Sequence, residues 1–243
     1  MRKKFHFLAI SLMILLVGFL PVKALTTADI MIYTPGPLSI LSSPIDISAS
    51  ITSGADNLVR ISLIDQSRKL LARKLIRLDP EQIAASQLST QLVFEIPTER
   101  TEALLTLATQ DAYYRPLSLR AIPLALNSMD EVVVEAQSFN EPWLVIETPQ
   151  PISTHRGGML TVNGKITPIT TKPVFFELIT DSGGLIGSKQ LVASTAGEEV
   201  SFKITMTYGF INTTRDVRLV IRQTIDPFGV DVALDSIPIF LAP

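Results

Sequence analysis

Side chains able to do acid–base, nucleophilic or metal chemistry are sparse in this 243-residue chain, which has two histidines and no cysteine. His6 lies in an apolar N-terminal run, so His155, in Ser153-Thr154-His155-Arg156-Gly157, is the one imidazole of the rest. In that turn-like setting it reads as a solvated loop residue. Zinc sites draw on Cys and His, and thiol nucleophiles need Cys, so both chemistries are excluded. A Ser-His-Asp triad would have to recruit His155, and no Gly-x-Ser-x-Gly elbow accompanies it. Gly-rich patterns that cradle phosphate are missing too.

Carboxylates are the next candidates. Asp226, Asp231 and Asp235 flank the last predicted hairpin, and Glu198 adjoins Glu199. Glycoside hydrolysis needs two carboxylates at a set separation across a sugar-lined cleft, whereas Asp at turns is ordinary. Calcium would need loop carboxylates gathered together, and no Asp-x-Asp spacing of a calcium loop occurs. The expectation is a chain that is not an enzyme, with no catalytic residues, no metal ligands and no cofactor.

Aromatic side chains offer contact chemistry instead. Tyr113-Tyr114-Arg115-Pro116 precedes the last strand of the first half, and Phe228 matches Tyr113 in the second half. Tyr113, Tyr114, Arg115 and Phe228 are therefore the candidate ligand or partner contacts, since exposed rings beside Arg suit sugar or protein surfaces. The competing reading has one ring plugging the end of a sandwich. Trp143 is the candidate domain-junction residue.

The elements that position these residues are strands. Ile45, Ile47, Ala49 and Ile51 alternate with Asp46, Ser48 and Ser50, as do Phe202, Ile204 and Met206 with Ser201, Lys203 and Thr205. Period-two alternation makes one face apolar. In Val217 to Arg222, Val220 breaks the polar face. Turn signals fall between runs, at Ser53-Gly54, Gly157-Gly158 and Asp181-Ser182-Gly183-Gly184. One short helix is predicted from Asp79-Pro80-Glu81-Gln82, a capping Asp before Pro at the first helical position.

The chain repeats itself. Ile32-Tyr33-Thr34-Pro35-Gly36-Pro37 recurs as Ile146-Glu147-Thr148-Pro149-Gln150-Pro151, and Ile61-Ser62-Leu63-Ile64 as Phe176-Glu177-Leu178-Ile179. Leu70-Leu71 matches Leu185-Ile186, Asp111-Ala112-Tyr113 matches Asp226-Pro227-Phe228, and Ile122-Pro123-Leu124 matches Ile237-Pro238-Ile239. The offset stays at 114 or 115 residues. Duplication gives a map of a leader (1–24), a first module (28–126), a linker (127–142) and a second module (143–243). Val132 to Val134 is expected to form a short strand or to pack on one module, which restricts motion between the two. The fold class is all-β: two tandem antiparallel β-sandwiches after a signal peptide.

The leader reading rests on Arg2, Lys3 and Lys4, an apolar run to Leu20, and small residues Val22 and Ala24 before a cleavage point. That run is shorter than a usual membrane span, so no stable span is expected once it is cut. The net charge of −2 includes four leader cations, leaving about −6 beyond it. An acidic chain has no electrostatic footprint for nucleic acid. The expected location is secreted or in the cell envelope, with a protein or envelope polysaccharide as partner.

Three pieces carry a family resemblance. One is the Pro-rich opening strand and its step into alternation, Thr34-Pro35-Gly36-Pro37 through Ser43-Pro44-Ile45-Asp46-Ile47-Ser48. The second is the strand–turn–strand from Leu63 to Leu71, repeated from Leu178 to Ile186. The third is the closing strand around Ile122-Pro123 and Ile237-Pro238. In these, each module resembles the immunoglobulin-like domain of bacterial spore-germination and sporulation proteins, although Gly164 of the second copy is Ala49 in the first. The resemblance implies tandem immunoglobulin-like domains acting as a non-catalytic structural or interaction protein outside the cytoplasm, with no catalytic residues to transfer. The alternative is a carbohydrate-binding module pair at the cell surface, using the Tyr113-Tyr114 loop.

Overall fold

The alternating segments of the sequence become strands in the computed structural model, which describes residues 25–26, 30–54, 56–78, 86–129, 132–135, 142–192, 194–209 and 211–243. The leader (1–24) and the helix expected from Asp79 lie outside the described residues. A two-residue strand, β1 (Leu25–Thr26), comes first. The N-terminal half follows with β2 (Ile30–Thr34), β3 (Ile40–Leu41), β4 (Ile45–Ile51) and β5 (Leu58–Asp65). It continues with β6 (Leu70–Arg77), β7 (Ser86–Leu92), β8 (Arg100–Gln110) and β9 (Pro116–Asn127). The C-terminal half begins with β10 (Leu144–Thr148), β11 (Thr154–His155), β12 (Met159–Ile166) and β13 (Val174–Thr180). Its last strands are β14 (Leu185–Leu191), β15 (Val200–Thr207), β16 (Arg215–Ile225) and β17 (Val230–Leu241).

Both halves carry one strand order. In the first, β2-β4-β7 faces β6-β5-β8-β9, and short β3 runs parallel to β9. In the second, β10-β12-β15 faces β14-β13-β16-β17, and β11 runs parallel to β17. The chain crosses between sheets at β4–β5, β6–β7 and β7–β8, and at the corresponding places later, which is the Greek-key wiring of an immunoglobulin-like sandwich. Even the irregularities recur: register shifts between Ile32 and Thr34, and between Leu63 and Ile64, have counterparts at Ile146/Thr148 and Leu178/Ile179. Described residues contain no helix.

Alternation determines which side chains fill the cores. Ile45, Ile47, Ala49 and Ile51 from β4 face Val59, Ile61 and Leu63 from β5 in one buried cluster. Leu160, Val162 and Ile166 face Val174, Phe176 and Leu178 in the other. There Phe176 meets Phe202 edge-to-face, with ring centroids 5.1 Å apart, the arrangement favoured by the ring quadrupoles.

The two halves are not beads on a string. The last strands pair with each other, antiparallel, with Ala233 opposite Arg120, Leu234 opposite Leu119 and Asp235 opposite Ser118. One sheet therefore runs unbroken from β14 to β6. The linker is tied to the first half, where Val133 bridges antiparallel to Ile40, while β1, ahead of the first half, pairs with β10 of the second.

Truncating Phe176 to Ala removes a wholly buried ring and is expected to cost about 3–5 kcal/mol. Chemical denaturation of the variant against the parent chain measures this loss directly.

Candidate functional site

The densest polar chemistry lies where β9 meets β17. The turn after β8 begins with Asp111, whose Oδ1 accepts from the backbone N–H groups of Tyr113 and Arg115, both at 2.9 Å. That use of a carboxylate to hold a turn is a local property of Asp. It leaves Oδ2 to take Arg115 Nε at 2.7 Å and, from the other half, Arg218 Nε at 3.2 Å. Arg115 also reaches across to Asp216 at 3.0 Å.

Asp235 sits near the middle of the same junction with no exposed surface. Its Oδ1 accepts from Ser118 Oγ at 2.7 Å. Its Oδ2 accepts from Arg120 Nη2 and Trp143 Nε1, both at 2.6 Å. The Arg120 guanidinium also lies 5.6 Å from the Trp143 ring centre. Burial pushes the Asp235 carboxyl up from its usual 3.8, while Arg120, Ser118 and Trp143 pull it back. An isolated buried carboxylate would be prohibitively costly, and this one is held by a cation and two further donors.

Apolar packing joins the halves as well. Leu104 and Ala121, from the outer face of the first sandwich, belong to the buried cluster of the second. Phe228 is buried in that cluster, and its carbonyl accepts from Arg68 Nε at 2.8 Å. Gly229 follows with φ +62°, and a Cβ there would stand 2.6 Å from Arg68 Nη2. Glycine thus permits the close approach of Arg68.

The structure sorts the sequence candidates as follows. Tyr113 and Tyr114 are exposed at the tip of their turn, Tyr114 at 77% with φ +61°. Arg115 turns inward and is buried, with the Tyr113 ring 5.0 Å from its guanidinium. Phe228 occupies the corresponding turn of the other half and is buried there rather than exposed with the tyrosines. Trp143 is buried against Asp235 and Arg120. The carboxylates of the last hairpin do not converge. Asp226 pairs with Lys172, Asp231 with Arg222, and Asp235 with Arg120. His155 Nε2 lies 2.8 Å from Ser153 Oγ, and burial lowers its pKa. Among the described residues no group of three or more His, Asp or Glu side chains could hold a metal ion.

Sequence reasoning missed Asp111, Ser118, Arg120, Asp216 and Arg218, and it read Asp235 only as a carboxylate flanking the last hairpin. One signal was present. Ala103-Leu104-Leu105 and Leu219-Val220-Ile221 break alternation, as does Val232 to Ser236, and all of these residues are buried. A strand apolar on both faces is covered on both faces.

No family model and no curated protein matches this chain. Among solved structures it is similar to the Salmonella enterica SafA pilin in complex with the SafB chaperone. That match has 14% identity, covers 88% of this chain and 96% of that one, and has a TM-score of 0.30. It is also similar to the adhesin CfaE of enterotoxigenic E. coli, at 10% identity over 92% and 86% of the two chains, with a TM-score of 0.25. A third is Drosophila OTK extracellular domains 3–5, at 12% identity over 88% and 64%, with a TM-score of 0.24. At such scores nothing is transferred, and the fold assignment rests on strand order.

Asp235→Ala leaves Arg120, Ser118 and Trp143 without their acceptor, and is expected to cost about 3–5 kcal/mol. Urea unfolding measures it. Because the folded Asp235 pKa lies above the unfolded value, its contribution is full below pH 3.8 and is lost as pH rises through the folded value. Stability relative to Asp235→Asn should therefore decline from pH 3.5 toward neutrality; a rising difference would contradict this assignment.

Proposed function

We propose that this chain is an exported, non-catalytic structural or interaction protein of the cell envelope or extracellular space. Its two immunoglobulin-like modules, 28–126 and 143–243, act together as one stiff unit joined by the linker 127–142. The observation that carries this reading is the junction itself. A continuous sheet, a buried ion pair and a shared apolar cluster make relative movement of the halves costly. Interfaces between domains otherwise tend to be small and mobile. A spacer or adhesive element benefits from holding its ends at a set separation.

Support for export is the leader sequence of Arg2 to Ala24. Among the described residues no helix is long and apolar enough to cross a membrane. The spore-germination resemblance belongs to this proposal and rests on the repeated Pro-rich, strand–turn–strand and Ile-Pro segments.

One observation favours a second reading, a carbohydrate-binding surface. Tyr113 and Tyr114 present two neighbouring exposed rings on one turn, and sugars stack on such rings.

Residual dipolar couplings measured on the intact chain should fit a single alignment tensor for both halves. Two tensors of different magnitude would show independently moving modules and overturn the stiff-unit reading. Glycan-array binding that disappears in Tyr114→Ala would favour the carbohydrate surface, and a clean array with folded protein would remove it.

A further inference from the structure

The turn before β3 is repeated almost atom for atom before β11. Leu38 and Ile152 both adopt left-handed backbone, with φ of 65° and 64°. Each donates its N–H to the carbonyl of the proline in the last strand of its half, Pro123 at 2.9 Å and Pro238 at 2.7 Å. Each is followed by a serine whose hydroxyl returns to the carbonyl three residues back, Gly36 or Gln150. A β-branched residue such as Ile152 rarely takes this conformation, so both halves hold the same strained turn and the same edge strand.

What differs is what covers that edge. In the first half the linker lies on it through four hydrogen bonds. Ile40 and Val133 exchange N–H···O bonds, both 2.8 Å; Gly36 N–H gives to Glu135 O at 2.7 Å; and Glu135 N–H gives to Ser39 Oγ at 2.9 Å. The counterparts of Gly36, Ser39 and Ile40 are Gln150, Ser153 and Thr154. Thr154 is exposed, and the carbonyls on either side of it, Ser153 and His155, accept from the N–H groups of Phe240 and Ala242. Its own N–H and C=O therefore point outward, as those of Ile40 do. Among the described residues neither they nor the Gln150 N–H take a partner.

We propose that the outer edge of β11 is a strand-acceptor site. Its occupant is an extended segment of another polypeptide with consecutive β-branched residues ending in a carboxylate, the chemistry of Val132 to Glu135. The chain's own linker, seated on the matching edge, defines the fit. Main-chain hydrogen bonds supply the attachment and side chains the selectivity, as in strand addition generally. Ser153 Oγ can donate to Gln150 O while accepting from His155 and from an incoming N–H, which fills its capacity. The inference rests on the reading of the chain as an interaction protein and adds a place and a partner chemistry to it.

The test uses the intact chain and a capped synthetic peptide with the sequence of residues 130–136. Saturable binding is expected, with amide exchange at Gln150 and Thr154 slowed at least tenfold. Thr154→Pro removes one outward N–H at a position where an edge strand tolerates proline, and should weaken binding at least tenfold; Thr154→Val should not. A peptide N-methylated at the position of Val133 loses the donor to Thr154 O and should also fail, whatever the variants do to folding. No binding to the folded chain, or binding unchanged in Thr154→Pro, overturns the proposal. A concentration-dependent dimer without peptide, abolished by Thr154→Pro, would overturn it in favour of a second copy as occupant. The single-tensor measurement is untouched by any of these results, so a failed acceptor site and a failed stiff-unit reading are told apart.

Discussion

A carboxylate wholly removed from water is the constraint around which the rest of this molecule is arranged. Asp235 can stay buried only while Arg120, Ser118 and Trp143 remain aimed at it. Those three donors come from β9 and from the residue just before β10. Each is placed by a strand pairing: Arg120 and Ser118 by the short ladder between β9 and β17, Trp143 by the entry into the second sandwich. If the halves separated, the charge and its donors would all have to be solvated anew. The network therefore behaves less like an isolated attraction than like a set of conditions met together or not at all.

The junction has a near two-fold logic. Leu119 and Leu234 are equivalent positions of the duplicated strand and lie directly opposite each other. Arg120 and Asp235 are equivalent too, since they pair with Leu107 and Ile221 at matching places in the preceding strands. Two identical modules meeting this way would set like charges side by side. Divergence to Arg in one copy and Asp in the other converts repulsion into a pair. A second exchange follows the same axis. Leu104 and Arg218 are counterparts opposite Pro123 and Pro238. Leu104 shares an apolar cluster with Phe228, while Arg218 meets Asp111 beside Tyr113. One side of the contact is greasy and the other ionic.

That asymmetry explains what the sequence conveyed and what it withheld. Strands with one wet face, such as β4 and β15, alternate cleanly, so their inward residues were legible residue by residue. The duplication was legible because turn and Ile-Pro motifs kept their spacing. Strands β8, β16 and β17 are covered on both faces, and their broken alternation carried the junction in a form easily mistaken for noise. Arg115 looked like a contact residue because Arg beside Tyr suits a surface, but Asp111 and Asp216, distant in sequence from each other, draw it inward. Asp235 looked like a turn aspartate from its proximity to the hairpin, whereas it lies well inside β17. Broken alternation marks a covered face, but which residue meets which across more than a hundred positions has no local trace.

The pairing of last strand with last strand also sets a rule of parity. A contact that uses the same edge of both partners is closed: it satisfies two modules and offers nothing to a third. Had the modules joined by unlike edges, each addition would have presented a fresh one, and the arrangement could have lengthened without limit. Here the pairing of β9 with β17 uses up that edge in both modules. Any further module appended to such a chain would have to dock by a different surface, or bring a companion of its own.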